Sequence, residues 1–304
     1  MKIAVLGPGG VGGLLAGVLE RAGNEIVLVA RESTAQTIAA NGLRVQSVIF
    51  GDFTTHPRAL ARLEEPVDAL IIATKAAGLE AALERIAISA PIVLPLLNGL
   101  DHLTVLRERF PAGSVLAGAI RVEADRPQPG VVVHTSPFLL VDMAASDPAV
   151  VPAMQRLADA LAAAEVPMRV LDSDAEVMWS KLVRLNALAC TTSAYDKLLG
   201  EIRSTPTLRA DLVGAIEEAC AVGRAEGAKD VDADRAVGEL ELAHETLGSS
   251  MQRDIAAGRV PELDAIPGSV LRAAARHGLS CPTIERLVAM IEARIAGMPA
   301  AAPA

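Results

Sequence analysis

The sequence predicts an α/β protein in which a doubly wound parallel sheet is followed by an all-helical C-terminal domain. Three observations carry this reading. Short apolar runs alternate with amphipathic stretches through the first half, the rhythm of βαβ units. A glycine-rich turn joins the first run to the first helical stretch. From Asp174 onward almost every window has helical periodicity and strand-like runs stop.

Taken in order, residues 3–6, 26–30, 69–74 and 92–96 are apolar runs of strand length, and residues 14–21, 34–40 and 79–86 between them have the spacing of amphipathic helices. Further strands are expected at 115–121, 131–134 and 138–141, with a Pro127-Gln128-Pro129-Gly130 turn between the first two. That spacing predicts an antiparallel extension at one edge of the parallel sheet. A last strand-like run occupies 168–171, so the boundary falls near Asp172, giving domains 1–172 and 173–304. At the end, Met298 is followed only by Pro and Ala, which predicts a frayed tail.

Bulk composition agrees. A chain of 304 residues with 51% apolar content has enough material for two well-buried domains. A net charge of −9 argues against nucleic acid or an anionic membrane as the main partner, since such sites need clustered Lys and Arg. Cys190, Cys220 and Cys281 form no CxxC pair and stand at no metal-ligand spacing with a His, so they read as buried thiols in a reduced cytoplasm, with no metal site. The N-terminus lacks the pattern of a signal peptide and no apolar run approaches the roughly 18–20 residues of a membrane span, so a cytoplasmic protein is expected.

The first strand ends in Gly7-Pro8-Gly9-Gly10-Val11-Gly12, a G-x-G-x-x-G turn opening a helix. In a Rossmann-type fold Gly7 permits the tight turn, Gly9 lets backbone approach a pyrophosphate, and Gly12 lets helix and strand pack closely, while the helix N-terminus offers N–H groups to phosphate. After the second strand, the slot where an acid would bind the ribose hydroxyls of NAD holds Ala30, followed by Arg31. A guanidinium there suits the 2′-phosphate of NADP, with Glu32 as the competing group should the loop shift by one residue. NADP is the expected cofactor.

Other candidates lie at strand ends and in the helical half. Lys75 follows one apolar run and Asn98-Gly99 the next; each alone reads as a solvated charge or a turn. Lys181 lies near the only Trp, Trp179, on an otherwise apolar helix, and Ser249-Ser250-Met251-Gln252-Arg253-Asp254 precedes a Glu262-Leu263-Asp264-Ala265-Ile266-Pro267-Gly268 run. Polar groups in such surroundings must find partners or line a cleft. The five histidines do not cluster; His102, just after Asn98-Gly99, is the nearest to the candidate groups.

Together these motifs resemble the ketopantoate reductase family: a glycine loop, a Lys after one strand, Asn-Gly after the next, a Trp-x-Lys helix and a Ser-Ser-Met…Asp…Glu-Leu-Asp…Gly run, in order over about residues 1–295. The resemblance implies NADPH-dependent reduction of 2-dehydropantoate (ketopantoate) to pantoate. It implies Lys181 as general acid, Asn98 and Lys75 as cofactor and substrate contacts, Ser250 and Glu262 as substrate-holding residues, and a mainly structural Asp254. Asn98 and Glu262 join Lys181 in the expected catalytic set.

Well-known family members carry Asn four and eight residues after the catalytic Lys; here those positions are Leu185 and Ala189. The nearest amide is Asn186, a candidate substrate contact that a regular helix would place roughly 140° round from Lys181. A less polar pocket makes another 2-oxo acid or ketone the alternative substrate. A non-catalytic dinucleotide sensor is the alternative of another class, although a pure binder has no need of a proton donor. A flavin enzyme is disfavoured by Arg31. The exposed helical faces are compatible with a homodimer, with no stripe to say which face.

Overall fold

Strand β1 (Lys2–Leu6) lies at the centre of a five-stranded, wholly parallel sheet with β2 (Glu25–Val29), β5 (Arg58–Leu60), β6 (Ala69–Ile72) and β7 (Val93–Pro95), in the order β5-β2-β1-β6-β7. Residues 1–111 and 113–298 are described by the computed structural model; the expected tail at 299–304 lies outside them. Because helices cover parallel sheets, β1 and β6 are almost unbroken apolar runs, buried along their length. Sheet order reverses at β1, so the carboxyl ends of β1 and β6 flank the crevice where such sheets bind ligands.

Helix α1 (Gly10–Arg21) follows β1 and α2 (Glu32–Asn41) follows β2. Strands β3 (Leu43–Ser47) and β4 (Phe53–Thr55), with β9 (Ala124–Gln128) and β10 (Val131–His134), form a second sheet in the order β4-β3-β10-β9. Strands β8 (Ala117–Arg121), β11 (Leu140–Ala144) and β12 (Met168–Val170) form a third, in the order β12-β11-β8. The expected antiparallel extension of the parallel sheet is therefore corrected: its strands belong to two separate sheets, each mixing parallel and antiparallel pairs.

Helix α1 explains why. Ideal Cβ atoms at Gly10, Gly13 and Gly17 would stand 2.1 Å from Ala124 O, 2.5 Å from Val132 Cγ2 and 2.7 Å from Val45 Cγ2. The three glycines make one smooth helix face, and the second sheet lies directly on it. Residues 12–19 are buried, as suits a helix covered on more than one side. The core of this part joins α1, the parallel sheet, β11 and helix α5 (Val151–Ala163).

By internal contacts the chain divides into two compact units, Met1–Leu97 with His102–Val177, and Asn98–Asp101 with Met178–Ala304. Helix α3 (Leu79–Leu83) and α4 (His102–Arg109) belong to the first. The second is helical: the greater part of α6 (Asp174–Tyr195), then α7 (Leu199–Ser204), α8 (Pro206–Ala225), α9 (Ala233–Leu242), α10 (Ser250–Ala256), a π-helical turn at Asp264–Gly268, α11 (Ser269–Arg276) and α12 (Pro282–Ala296). Trp179 of α6 is buried against α8, where a Cβ on Gly223 would lie 3.0 Å from its indole ring. Glu218 of α8 caps α12 by accepting from the N–H groups of Thr283 (2.8 Å) and Ile284 (2.9 Å). All three cysteines are buried free thiols. Among the described residues no helix is long and apolar enough to cross a membrane.

Candidate active site

In the first unit, β1 leads into a turn only glycine accepts at two points. Gly7 has φ +91°, and a Cβ there would lie 2.8 Å from Thr74 Cγ2. A Cβ on Gly12 would lie 2.3 Å from Gly7 O. Pro8 is buried, and Val11 is partly buried against the core. Gly9 differs from both: its φ is −79° and nothing among the described residues lies within 4 Å of its would-be Cβ. The fold itself does not require glycine at this point. The open space stands at the N-cap of α1, whose first N–H groups receive no side-chain cap, an arrangement that suits the close approach of a phosphate. Gly10 has a structural duty that spacing alone did not reveal, its contact with Ala124.

Arg31 is the N-cap of α2 and exposed, and its guanidinium makes no hydrogen bond or ion pair among the described residues. Glu32, the competing group, accepts from Gln36 Nε2 at 3.0 Å along its own helix. Lys75 is exposed just past β6. Beside it the Thr74 hydroxyl is buried with no hydrogen-bond partner among the described residues, an orphan with no signal in the sequence.

The second unit brings together three candidates that are far apart in the chain. Lys181 Nζ donates to Asn98 Oδ1 at 2.7 Å, and Asn98 Nδ2 donates to Glu262 Oε2 at 2.8 Å. An ammonium only donates and a carboxylate only accepts, so one orientation of the Asn98 amide alone satisfies both. Asn98 thus links cation to anion. Gly99, with φ +85°, allows the turn immediately after it.

Asn186 is not part of this chain of bonds. It is fully buried, with Oδ1 accepting from Cys190 Sγ at 3.6 Å and Nδ2 unpaired among the described residues. Its angular offset on α6 accounts for this. Leu185, roughly 40° from Lys181 on the same helix, is only partly buried, whereas Ala189 is fully buried. Ser249 caps α10 by accepting from Gln252 N at 3.0 Å and also accepts from Thr192 Oγ1 at 2.8 Å. The neighbouring Ser250 hydroxyl has no partner among the described residues. Asp254 is buried and accepts from Arg259 Nε at 2.8 Å, closing the turn after α10. His102 is buried.

Similarity to known proteins follows the same lines. The family model for ketopantoate reductase PanE/ApbA matches residues 3–141, and the model for its C-terminal part matches residues 175–295. A 2-dehydropantoate 2-reductase of Mycobacterium tuberculosis (strain ATCC 25618 / H37Rv) is 31% identical over 302 residues, 96% of this chain and 97% of that one. Among solved structures, a 2-dehydropantoate 2-reductase from Geobacter metallireducens GS-15 superposes with TM-score 0.88 at 25% identity, covering 97% of this chain and 100% of the other. A D-mandelate dehydrogenase solved with NADH and anilino(oxo)acetate has the same fold, with TM-score 0.88 at 23% identity over 97% of this chain and 99% of its own.

Proposed function

The chain belongs to the ketopantoate reductase family of oxidoreductases, and from that premise we propose that it uses NADPH to reduce 2-dehydropantoate to pantoate, with Lys181 as the proton donor. The observation that carries this reading is the Lys181–Asn98–Glu262 chain of hydrogen bonds.

Adding hydride to a ketone leaves negative charge on its oxygen, and a positioned cation that also gives a proton answers both needs. When bound, the nicotinamide supplies the hydride. Lys181 then transfers a proton from Nζ to the developing alkoxide, which leaves a neutral amine to be re-protonated from solvent. Asn98 Oδ1 accepts one ammonium N–H and so aims another at the substrate. Glu262 fixes the Asn98 amide from behind by accepting from its Nδ2. Ser250, with its free hydroxyl, is the donor or acceptor for the polar end of the substrate. Gly9 and the N-terminus of α1 would hold the pyrophosphate, and Arg31 would hold the 2′-phosphate.

A second reading concerns the substrate alone. Leu185 puts an apolar, partly exposed side chain one turn from Lys181, which favours a 2-oxo acid with a less polar side chain. The test is loss of NADPH absorbance with ketopantoate, run beside a panel of other 2-oxo acids and ketones and repeated with NADH. Fast turnover of ketopantoate supports the first reading. Turnover only of less polar 2-oxo acids replaces it with the second, and no turnover of any of them refutes both.

A further inference from the structure

The segment that carries Asn98 is held against the turn that follows Glu262 at two points. A Cβ on Gly99 would lie 1.9 Å from Ala265 O, so the two backbones touch. The turn at Asp264–Gly268 is π-helical for a reason visible in the sequence. Pro267 has no N–H to give the Leu263 carbonyl four residues back, and Gly268 N donates to that carbonyl instead, at 3.1 Å.

The second point of attachment is Arg272 on α11. Its Nη2 donates to Asp101 Oδ2 at 2.6 Å and to the Asp264 carbonyl at 2.9 Å, while Nη1 donates to Asp264 Oδ1 at 2.7 Å. One guanidinium thus joins residues 98–101 to the residue two places after Glu262. A planar fork with several donors serves three acceptors on two segments; an ammonium is a point charge without that geometry.

We propose that Arg272 is a positioning residue for the reduction, a clamp that keeps the Asn98 amide between the Lys181 ammonium and the Glu262 carboxylate. This rests on the reading of Lys181 as proton donor. The Arg272 side chain is 44% exposed, and exposed ion pairs add little to global stability. Misplacing a catalytic group by 1 Å, in contrast, costs on the order of 10²-fold in rate. The clamp therefore acts on geometry more than on folding.

The test compares the full-length protein with Arg272→Met and Arg272→Lys. Three quantities are read: kcat and KM with NADPH and whichever 2-oxo acid the wild type reduces, the melting temperature, and the ¹H–¹⁵N signals of the Asn98 side-chain amide, assigned by their loss in Asn98→Ala. Arg272→Met is expected to lower kcat by roughly tenfold to a hundredfold while KM for NADPH stays within about twofold. The melting temperature should move by no more than about 2–4 °C. The Asn98 amide should lose its protection from solvent exchange, and Arg272→Lys should restore part of both kcat and protection. Unchanged kcat together with an unchanged Asn98 signal overturns the proposal, as does a loss of kcat that only follows a loss of folded protein. Should the wild type reduce no 2-oxo acid, the reductase reading fails separately. The Asn98 amide then decides the clamp alone: protection lost in Arg272→Met supports it, and protection kept rejects it.

Discussion

Asn98 and Glu262 stand 164 positions apart in the chain, yet the Asn98 amide donates to the Glu262 carboxylate at 2.8 Å and turns its oxygen to the Lys181 ammonium. The polarity of that link makes Asn98 the most informative position to vary. Asn98→Asp replaces the donor facing Glu262 with a second carboxylate, so repulsion drives the link apart even though an acceptor remains for Lys181. Asn98→Ala removes both contacts. We expect kcat to fall by roughly tenfold to a hundredfold in either variant, as measured by steady-state kinetics.

Lys181→Ala separates an enzyme from a dinucleotide sensor that has kept the fold. With Lys181 as general acid, reduction should fall by about 10²–10⁴-fold while NADPH binding survives. Equal loss of both would make Lys181 a structural group.

Much of this was legible in the sequence because buried parallel strands leave unbroken apolar runs, as at residues 69–72, and because the glycine turn has one steric meaning between a strand and a helix. Asn98, Lys181 and Glu262 are legible as polar residues at strand ends or in apolar surroundings. Strand β9 left no such trace. Ala-Asp-Arg-Pro-Gln is exposed at the edge of its sheet, where Pro127 can be accommodated and no apolar alternation is needed. Nor does any local pattern announce that Gly99 rests on Ala265 or that Gly10 rests on Ala124, since each contact joins segments brought together only by the fold. Asn186 follows helix geometry: the offset of roughly 140° from Lys181 expected on a regular helix goes with a fully buried side chain that accepts from Cys190.

The glycines of the loop divide by what they meet. Gly9→Ala places a methyl in open space at an ordinary φ, so the melting temperature should barely change, while NADPH affinity falls because the methyl occupies the space needed by phosphate. Gly12→Ala drives a methyl into Gly7 O and should cost about 1–3 kcal/mol of stability as well. Thermal melts paired with NADPH titrations check both. Equal effects of the two substitutions on folding would contradict the assignment of Gly9 to the ligand.

Acid should weaken the first unit in two stages. His134 is buried and accepts from Ser47 Oγ at Nδ1 (2.8 Å), while Nε2 faces Ser136 Oγ (3.2 Å), whose own proton goes to Phe138 O. Burial holds the imidazole below its ordinary value near 6.5, with the Phe138 backbone a smaller opposing influence. The unfolded chain therefore binds more protons, so stability is fully present above about pH 6.5 and declines as the pH falls toward the depressed value in the fold. Asp142 follows at lower pH. Burial pushes its carboxyl up, but Arg169 and Arg121 together outweigh this and hold it below its ordinary value near 3.8. Its contribution is present above that value and is lost as pH falls through the depressed one. Urea melts from pH 7 to pH 3 should show both declines, and His134→Gln should flatten the first only.

Arg31 is the position at which the proposed preference for NADPH over NADH is tested. It is exposed and without a side-chain partner among the described residues, and Glu32 beside it is engaged by Gln36, so the guanidinium at the end of β2 is available to meet a 2′-phosphate. A charge-assisted hydrogen bond of this kind contributes about 1.5–3 kcal/mol, which is roughly a tenfold to a hundredfold change in affinity. Arg31→Ala should raise KM for NADPH by that factor and leave KM for NADH nearly unchanged, since NADH carries no phosphate for Arg31 to hold. Comparing kcat/KM for the two cofactors in wild type and variant checks this. A parallel loss with both cofactors would place Arg31 in the folding of the loop, and Glu32 would then be the group to test on the ribose.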